Sequence, residues 1–431
     1  MKEFLINQYQ VFTAKNLWIK ILHVLICFFV IITSFREGDI DFFIETGSRF
    51  LASQDLYKEL YRGSIYFVYS PVFSFLIAPF TFLPIVLVRF LWAAVNIYFI
   101  FEICRITFSY LPQNDFLAKH KTKLIIISIL FVIHFFNLNF MIGQMTVCML
   151  YICLKSIYEN DKGNIWHSSI LLATGIIIKV MPIIILIYYV YNKNFKTVFV
   201  TIFSIVALFV LPFVFVDFET MTTHYLSWYD AMINGGGGYA REYSPSMHSL
   251  HSMAIVYFTY HPDTLDKAGW LPFNRFFAYL PLEQVKYISY SLCAILIVLT
   301  LLILKRLPFT KPKSSFHTLY EFGYLCLITP LIFPMQQKYG YIFIFPAIVY
   351  LLYSTYQIKT DGGESKIKLY LSYSCLILCF ILTSLSTIDA LFGETVKEIS
   401  QYYKLMVWGT VIALIPYFLN KPILVEKKLP T

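Results

Sequence analysis

Residues 170–190 read ILLATGIIIKVMPIIILIYYV, and residues 125–136 read IIISILFVIHFF. Both stretches are almost continuously apolar and lack the alternation of apolar and polar residues that a transmembrane β-strand shows. A helix of about 20 apolar residues spans the hydrocarbon core of a bilayer. The two stretches therefore predict helices that cross a membrane.

The composition of the whole chain agrees with this prediction. Of the 431 residues, 58% are hydrophobic and 14% are charged, whereas ordinary globular proteins carry about 25% charged residues. This excludes a soluble enzyme, a disordered protein and a secreted disulfide scaffold. The net charge of +9 comes mostly from basic clusters at the ends of apolar runs, which indicates membrane orientation and not nucleic-acid binding.

Apolar runs recur along the chain and predict an all-α polytopic membrane protein with about 12 transmembrane helices. They fall at about residues 17–34, 68–83, 85–107, 123–137, 141–158, 168–191, 197–216, 286–304, 317–334, 340–357, 368–388 and 402–419. Both termini then share one side of the membrane with basic connections around Lys193, Lys311 and Lys421, which the positive-inside rule makes cytoplasmic. Residues 119–123, with three lysines, are an exception, because the same count places them outside.

Two long connections, residues 35–66 and 217–285, fall on the opposite side and carry more acidic than basic residues. They are rich in aromatic residues, which does not fit disorder, so we expect them to fold over the outer membrane face. Residues 42–57 suit an amphipathic helix lying in the interface. The glycine run 235–238 predicts a flexible hinge.

Two acidic residues, Asp39 and Asp41, come directly after the first apolar run. A carboxylate at the mouth of a helix bundle can act as a general base on a sugar hydroxyl or bind a cation. The alternative from spacing alone is that both are solvated loop acids.

Lys179 lies in the middle of the quoted run, where an ionisable side chain is expensive and is a functional candidate by default. The alternative is a structural pairing inside the bundle. Pro182, three residues later, predicts a kink at the same depth. Lys338, in the Gln336-Gln337-Lys338-Tyr339 stretch, could hold a lipid phosphate or serve as an interfacial anchor.

His248 and His251 fall in the second long connection, where a histidine can orient a base or hydrogen-bond a phosphate. If they lay three residues apart on one helix they would share a face, which also suits a metal. No third ligand is indicated, so we predict no metal site.

An ordered set of short motifs resembles glycosyltransferase family 87. Its members are GT-C type membrane mannosyltransferases that use polyprenyl-phosphate-mannose. The set runs through DIDFFIETGSRFLASQDLY at 39–57, VYSP at 68–71, LW at 91–92, GQ at 143–144, KVMP at 179–182, MHSL at 247–250, TP at 329–330 and QQKY at 336–339.

The resemblance implies a single glycosyltransferase domain over residues 1–431 with a GT-C type bundle. It places the catalytic carboxylate on Asp39 in the outer loop 35–66, with Asp41 as the alternate, and donor or acceptor binding in the outer loop 217–285. Its other motifs imply substrate-binding roles, and His248 replaces the glutamine usual in the family. The residues for which we expect such roles are Tyr69, Gln144, Lys179, His248, His251, Gln336, Gln337 and Lys338.

The resemblance implies an inverting transfer of a hexose, with mannose as the sugar that the family uses, from a polyprenyl-phosphate-sugar to a glycan or glycolipid acceptor. No cofactor is required, and a divalent metal is neither required nor excluded. The resemblance also implies the bacterial inner membrane, an active site on the extracytoplasmic face, and no nucleic-acid partner.

Two other classes compete with this interpretation. A transporter or flippase for a lipid-linked sugar would explain Lys179, but it predicts internal symmetry, and no repeat is visible in the sequence. A membrane O-acyltransferase would need an apolar-embedded histidine as its base, and His134 is the histidine placed for that role.

Overall fold

The structure is a computed structural model, and it describes residues 17–57, 61, 67–233, 244–259, 273–304, 306–361 and 366–422. Within these residues the chain is helical and forms no strand. The α-helices are α1 Leu17–Ser34, α2 Asp39–Leu51, α3 Pro71–Ile77, α4 Ile85–Ser109, α5 Asp115–Ile142, α6 Thr146–Asp161, α7 Ile165–Ile178, α8 Ile183–Tyr191, α9 Phe195–Val210, α10 Phe218–Ile233, α11 Leu250–Phe258, α12 Leu282–Leu304, α13 Ser315–Ile332, α14 Phe345–Asp361, α15 Lys366–Thr383, α16 Asp389–Tyr402 and α17 Leu405–Leu419.

The described residues contain six helical segments that are long and apolar enough to cross a membrane, or up to eight if each of two bent helix pairs is one span. The six are Ile85–Ser109, Asp115–Ile142, Phe195–Val214, Leu282–Leu304, Lys338–Lys359 and Lys366–Thr387. The predicted count of about 12 is therefore not confirmed, although the prediction of an all-helical membrane protein is.

Two of the predicted runs differ from the structure for physical reasons. The run 68–83 forms the short helical segment Pro71–Phe82, well below the length of about 20 residues that a crossing needs. The run 168–191 is broken into α7 and α8. Pro182 explains the break, because proline lacks an amide hydrogen and its ring clashes with the carbonyl four residues earlier.

The helices run between two ends of the bundle, which we call the Asp39 end and the lysine end. α6 begins beside Gln144, which contacts Asp39, and it finishes at Asp161, which lines a pocket with Lys193 and Lys311. With 16 residues, α6 separates the two ends by about 24 Å.

The lysine-containing residues 119–123 lie at the lysine end. The Tyr110 hydroxyl, just before α5, donates a hydrogen bond to the Asp161 carboxylate at 2.7 Å. The predicted placement of residues 119–123 on the side opposite Lys193 is therefore wrong. The cause is the run 168–191, which predicts one crossing, whereas α7 leaves the lysine end at Ile165 and α8 returns the chain to it before Lys193.

Both long connections contain helices at the Asp39 end. α2 occupies part of the first, and its side chains Phe42, Phe43 and Phe50 are buried, so its apolar face packs into the protein. α10 from the second connection touches it, since the Phe50 and His224 rings stack with centroids 5.6 Å apart. The predicted glycine hinge at 235–238 lies outside the described residues.

The α13 and α14 helices form the centre of the bundle. Almost every residue of α13 is buried, and α14 packs beside it, with the Phe316 and Tyr353 rings 5.3 Å apart. By contrast, α9 and α12 expose large apolar side chains, as expected where a helix faces lipid. The turn between α13 and α14 carries residues 336–339 and so places them centrally at the Asp39 end.

Candidate functional site

Asp39 is held at the start of α2 by a close approach of two backbone turns. Gly38 precedes α2, and a Cβ atom built there would lie 2.6 Å from the Ile142 carbonyl oxygen. Gly143 has a φ of +77°, in the left-handed region that favours glycine. This contact lets the Gln144 side-chain amide donate a hydrogen bond to the Asp39 carboxylate. Asp39 is half-buried and Gln144 is buried.

Asp41 lies two residues later in the first turn of the same helix, and its carboxylate has a structural role. Its Oδ1 accepts hydrogen bonds from Arg89 Nε at 2.9 Å and Nη2 at 2.6 Å, and its Oδ2 accepts one from the Gly38 amide at 2.7 Å. The Asp41 side chain is 5% exposed and that of Arg89 12%. Asp41 therefore caps α2 and fixes the turn that carries Asp39.

Lys179 lies at the break between α7 and α8, and its side chain extends to Asp39. It lies directly after α7 in an extended backbone conformation, where Pro182 prevents the helix from continuing. Its ammonium group interacts electrostatically with Asp39 and lies 5.4 Å from the centre of the Tyr339 ring. The sequence places Lys179 in the middle of an apolar run. In the structure its side chain is half-buried and lies at the Asp39 end.

Tyr69 is anchored against the end of α7. The neighbouring Ser70 hydroxyl donates to the Ile177 carbonyl at 2.8 Å, two residues before Lys179. The Tyr69 carbonyl accepts a hydrogen bond from the Tyr57 hydroxyl at 2.8 Å. Burial raises the pKa of the Tyr69 hydroxyl well above 10.0, with Tyr339 and Asp39 adding to the effect, so this hydroxyl remains a hydrogen-bond donor at neutral pH.

The central turn brings residues 336–339 to the same end. The Asn139 side chain donates to the Tyr339 carbonyl at 3.0 Å, and Asn139 also accepts the Gln144 amide hydrogen at 3.0 Å through its own carbonyl. Gln336 is buried and packs in the space that Gly340 leaves open, whereas Gln337 and Lys338 are half-buried. Asp39, Gln144, Lys179 and Tyr339 therefore form one cluster.

His248 is connected to this turn through the backbone. Its amide donates to the Gln336 carbonyl at 2.7 Å, and its carbonyl accepts from the Tyr341 hydroxyl at 2.8 Å. Its ring is fully buried, and in the described part of the chain neither ring nitrogen has a hydrogen-bond partner. Burial lowers the pKa of His248 well below 6.5, and the positive charges of Lys404 and Lys338 lower it further. The ring is therefore neutral.

The His251 side chain, three residues after His248, contacts α12. His248 precedes the Ser249 cap of α11, whereas His251 lies on the helix, and its Nδ1 is 2.8 Å from the Ser289 hydroxyl on α12. The possibility that the two histidines share a helix face is therefore wrong. Among the described residues, no group of three His, Cys, Asp or Glu side chains could hold a metal ion.

Three contributors to this end were absent from the sequence-based candidates: Tyr339, Arg89 and Lys404. Arg89 could have been found as an ionisable residue near the start of an apolar helix. Lys404 is fully buried and donates to the carbonyls of Ser244 at 3.0 Å and Met247 at 2.9 Å. No sequence pattern signals that contact, because its acceptors are backbone atoms far away in the chain.

The chemistry that this arrangement permits is limited and specific. A half-buried carboxylate that a hydrogen bond holds in place can act as a general base on a hydroxyl group within reach. Lys338 in the central turn and Lys404, directly before α17, add positive charge near His248. A site of this kind suits a reaction that removes a proton and releases an anion.

Comparison with protein families identifies the chain. The family model described as glycosyltransferase family 87 matches residues 67–334, more than half of the 431 residues. The match covers Tyr69, Gln144, Lys179 and His248 but begins after Asp39. No curated protein and no solved structure matches the chain. The predicted resemblance is confirmed: this chain belongs to glycosyltransferase family 87, a family of membrane glycosyltransferases.

Proposed function

We propose that the chain transfers a hexose, mannose by family inference, from a polyprenyl-phosphate-sugar to a glycan or glycolipid acceptor, with Asp39 as the general base. The observation that supports this most is the convergence of Asp39, Gln144 and Lys179 from three separate segments. Of the two neighbouring acids, Asp41 caps α2 and pairs with Arg89, whereas Asp39 lies in the cluster with Gln144 and Lys179.

The proposed reaction proceeds with inversion at the anomeric carbon. The acceptor hydroxyl loses its proton to the Asp39 carboxylate while its oxygen attacks the anomeric carbon. The bond between that carbon and the phosphate oxygen breaks, and the polyprenyl phosphate leaves with the electron pair. Gln144 holds the Asp39 carboxylate in place through its hydrogen bond.

Cationic side chains serve the leaving phosphate in this proposal. Charge that develops on a leaving oxygen is stabilised best by groups that are already in position. Lys338 in the central turn and Lys179 beside Asp39 supply such charge, and the neutral His248 ring, with Gln336 and Gln337, shapes the turn that carries Lys338. We assign the region 217–285 and Tyr69 to donor or acceptor binding, and His251 to support of this region through Ser289.

The proposed site lies on the extracytoplasmic face of a bacterial inner membrane. The positive-inside rule supports this placement, because the connections rich in lysine lie at the opposite end of the bundle. A lipid-linked donor suits a protein whose helices expose apolar surface, since the lipid tail can lie between helices. The reaction as proposed needs no second substrate to activate the sugar, because the donor already carries its phosphate leaving group.

The test is transfer of radiolabelled sugar from synthetic polyprenyl-phosphate donors carrying mannose, glucose or arabinose, using membranes that express the chain, with and without EDTA. We expect one donor to be used, an inverted anomeric configuration in the product by NMR, and no loss of transfer with EDTA. A retained configuration would contradict direct displacement. Failure of all three donors would contradict the lipid-phosphate donor, and a transport assay of a lipid-linked sugar would then test the competing class.

A further inference from the structure

A second polar pocket lies at the lysine end, about one helix length from Asp39. It has a volume of about 690 Å³ and opens to the exterior of the bundle. Four lysines from two separate connections line it: Lys193, Lys196, Lys311 and Lys313. Among the described residues that line the pocket, Asp161 is the one with a carboxylate, and it already accepts a hydrogen bond from the Tyr110 hydroxyl at 2.7 Å.

Three helices begin at this pocket. First-turn or capping residues of α7, α9 and α13 line its wall, and each of these helices is at least 14 residues long. The first amide groups of a helix have no acceptor within the helix, and the helix dipole places partial positive charge at the same point. The wall therefore adds backbone donors to the four ammonium groups.

The connections that carry the lysines are fixed to each other before any ligand binds. Arg306 donates to both oxygens of the fully buried Glu321, at 2.6 and 2.7 Å, and also to the Asn192 side chain. The Phe309 amide donates to the Tyr191 carbonyl at 2.7 Å. These bonds tie the segment before Lys311 to the segment before Lys193, so the lysines face a shaped cavity.

The orientation rule explains why lysines occur at this end, but not why they surround one cavity together with three helix N-termini. We propose that this pocket is a binding site for a phosphate-bearing anion, separate from the site of sugar transfer. Its volume accommodates a phosphorylated headgroup as well as a free phosphate. Its position at the helix ends is where the headgroups of a surrounding bilayer lie.

The test is equilibrium binding to the purified full-length chain in neutral detergent, with dioctanoyl phosphatidic acid and inorganic phosphate as separate probes. The variant is Lys193→Gln with Lys313→Gln. The matched control is Lys359→Gln with Lys366→Gln, which removes the same charge from exposed positions at the same end but outside the pocket. Two lysines contribute enough for the pocket variant to bind at least about tenfold more weakly.

Saturable binding of the lipid alone, weakened in the pocket variant and not in the control, supports the site and identifies a lipid headgroup as its ligand. Binding of inorganic phosphate with the same pattern supports the site and identifies a soluble phosphate compound. Absence of binding by both probes, or equal weakening in pocket variant and control, overturns the proposal. Since sugar transfer is not measured, this result is independent of the proposed function.

Discussion

The two ends of the bundle use charged residues in opposite ways. At the lysine end a buried carboxylate, Glu321, is paired with Arg306, and the lysines around the pocket are exposed. At the Asp39 end Arg89 is paired with Asp41, and the neighbouring carboxylate of Asp39 is half-buried beside the Lys179 ammonium group. One end therefore offers positive charge to a ligand, whereas the other offers a base.

The comparison also shows how each end is stabilised. At each end an arginine–carboxylate pair fixes the backbone: Arg89–Asp41 at the Asp39 end and Arg306–Glu321 at the lysine end. The residues that we propose contact ligands lie next to these pairs. We therefore expect that breaking a pair reduces stability, and that changing a neighbouring residue reduces function. The following predictions separate these two effects.

The largest effect on stability is expected at the lysine end. Glu321→Gln leaves the Arg306 charge buried without its partner, and removal of one member of such a pair costs about 3–5 kcal/mol. The free energy of unfolding in detergent should fall by about that amount, with sugar transfer per folded molecule unchanged. Glu283→Gln, at an exposed position, is the control. Equal destabilisation by both changes would show that the buried pair contributes nothing.

The next effect is expected on transfer at the Asp39 end. Lys179→Met removes the charge beside Asp39, and loss of one preorganised charge-stabilising group lowers the rate about 10²-fold. Lys179→Arg should retain more activity than the Met variant. Lys286→Met, at the same end but outside the cluster, should transfer sugar at the normal rate. Normal transfer by Lys179→Met would remove Lys179 from the proposed mechanism.

A smaller effect is expected from the close approach of the two turns. Gly38→Ala places a methyl group 2.6 Å from the Ile142 carbonyl oxygen, so the turns must separate, at a cost of about 1–3 kcal/mol. Transfer should fall as well, because Asp39 moves away from Gln144. The change Gln54→Ala, on an exposed side chain in the same connection, should leave stability and transfer unchanged. A fully active Gly38→Ala chain would contradict the importance of this contact.

The smallest effect concerns pH. Burial keeps the pKa of His248 below the ordinary value of 6.5, so the unfolded chain binds a proton that the folded chain does not. Stability is therefore highest above pH 6.5 and falls as the pH drops below it. In His248→Gln this part of the loss should disappear, giving a smaller fall in Tm between pH 7.5 and 5.5. An identical fall in both chains would contradict a neutral buried His248.

The sequence predicted the helical membrane architecture and the family because both depend on local signals. Continuous apolar runs mark helices, and ordered short motifs mark relatives. The number of crossings was less accessible, because the segment Pro71–Phe82 is apolar but too short to span a bilayer. Apolarity alone does not distinguish a membrane helix from a buried one.

The candidate site was predicted in part. Asp39, Gln144 and Lys179 were named from the sequence, and the structure brings them together. The distinction between Asp39 and Asp41 needed the structure, because it depends on Arg89, 48 residues further along the chain. The lysine pocket also needed it, since the two basic connections that form it are more than 100 residues apart.

The most direct test of the central claim compares Asp39→Asn with Asp41→Asn, measuring sugar transfer and the free energy of unfolding for each. If Asp39 is the base, Asp39→Asn folds normally but transfers sugar at least about 10²-fold more slowly. Asp41→Asn loses stability, since it weakens the pair with Arg89, and retains transfer per folded molecule. Normal transfer by Asp39→Asn together with complete loss in Asp41→Asn would contradict the account and move the base to Asp41.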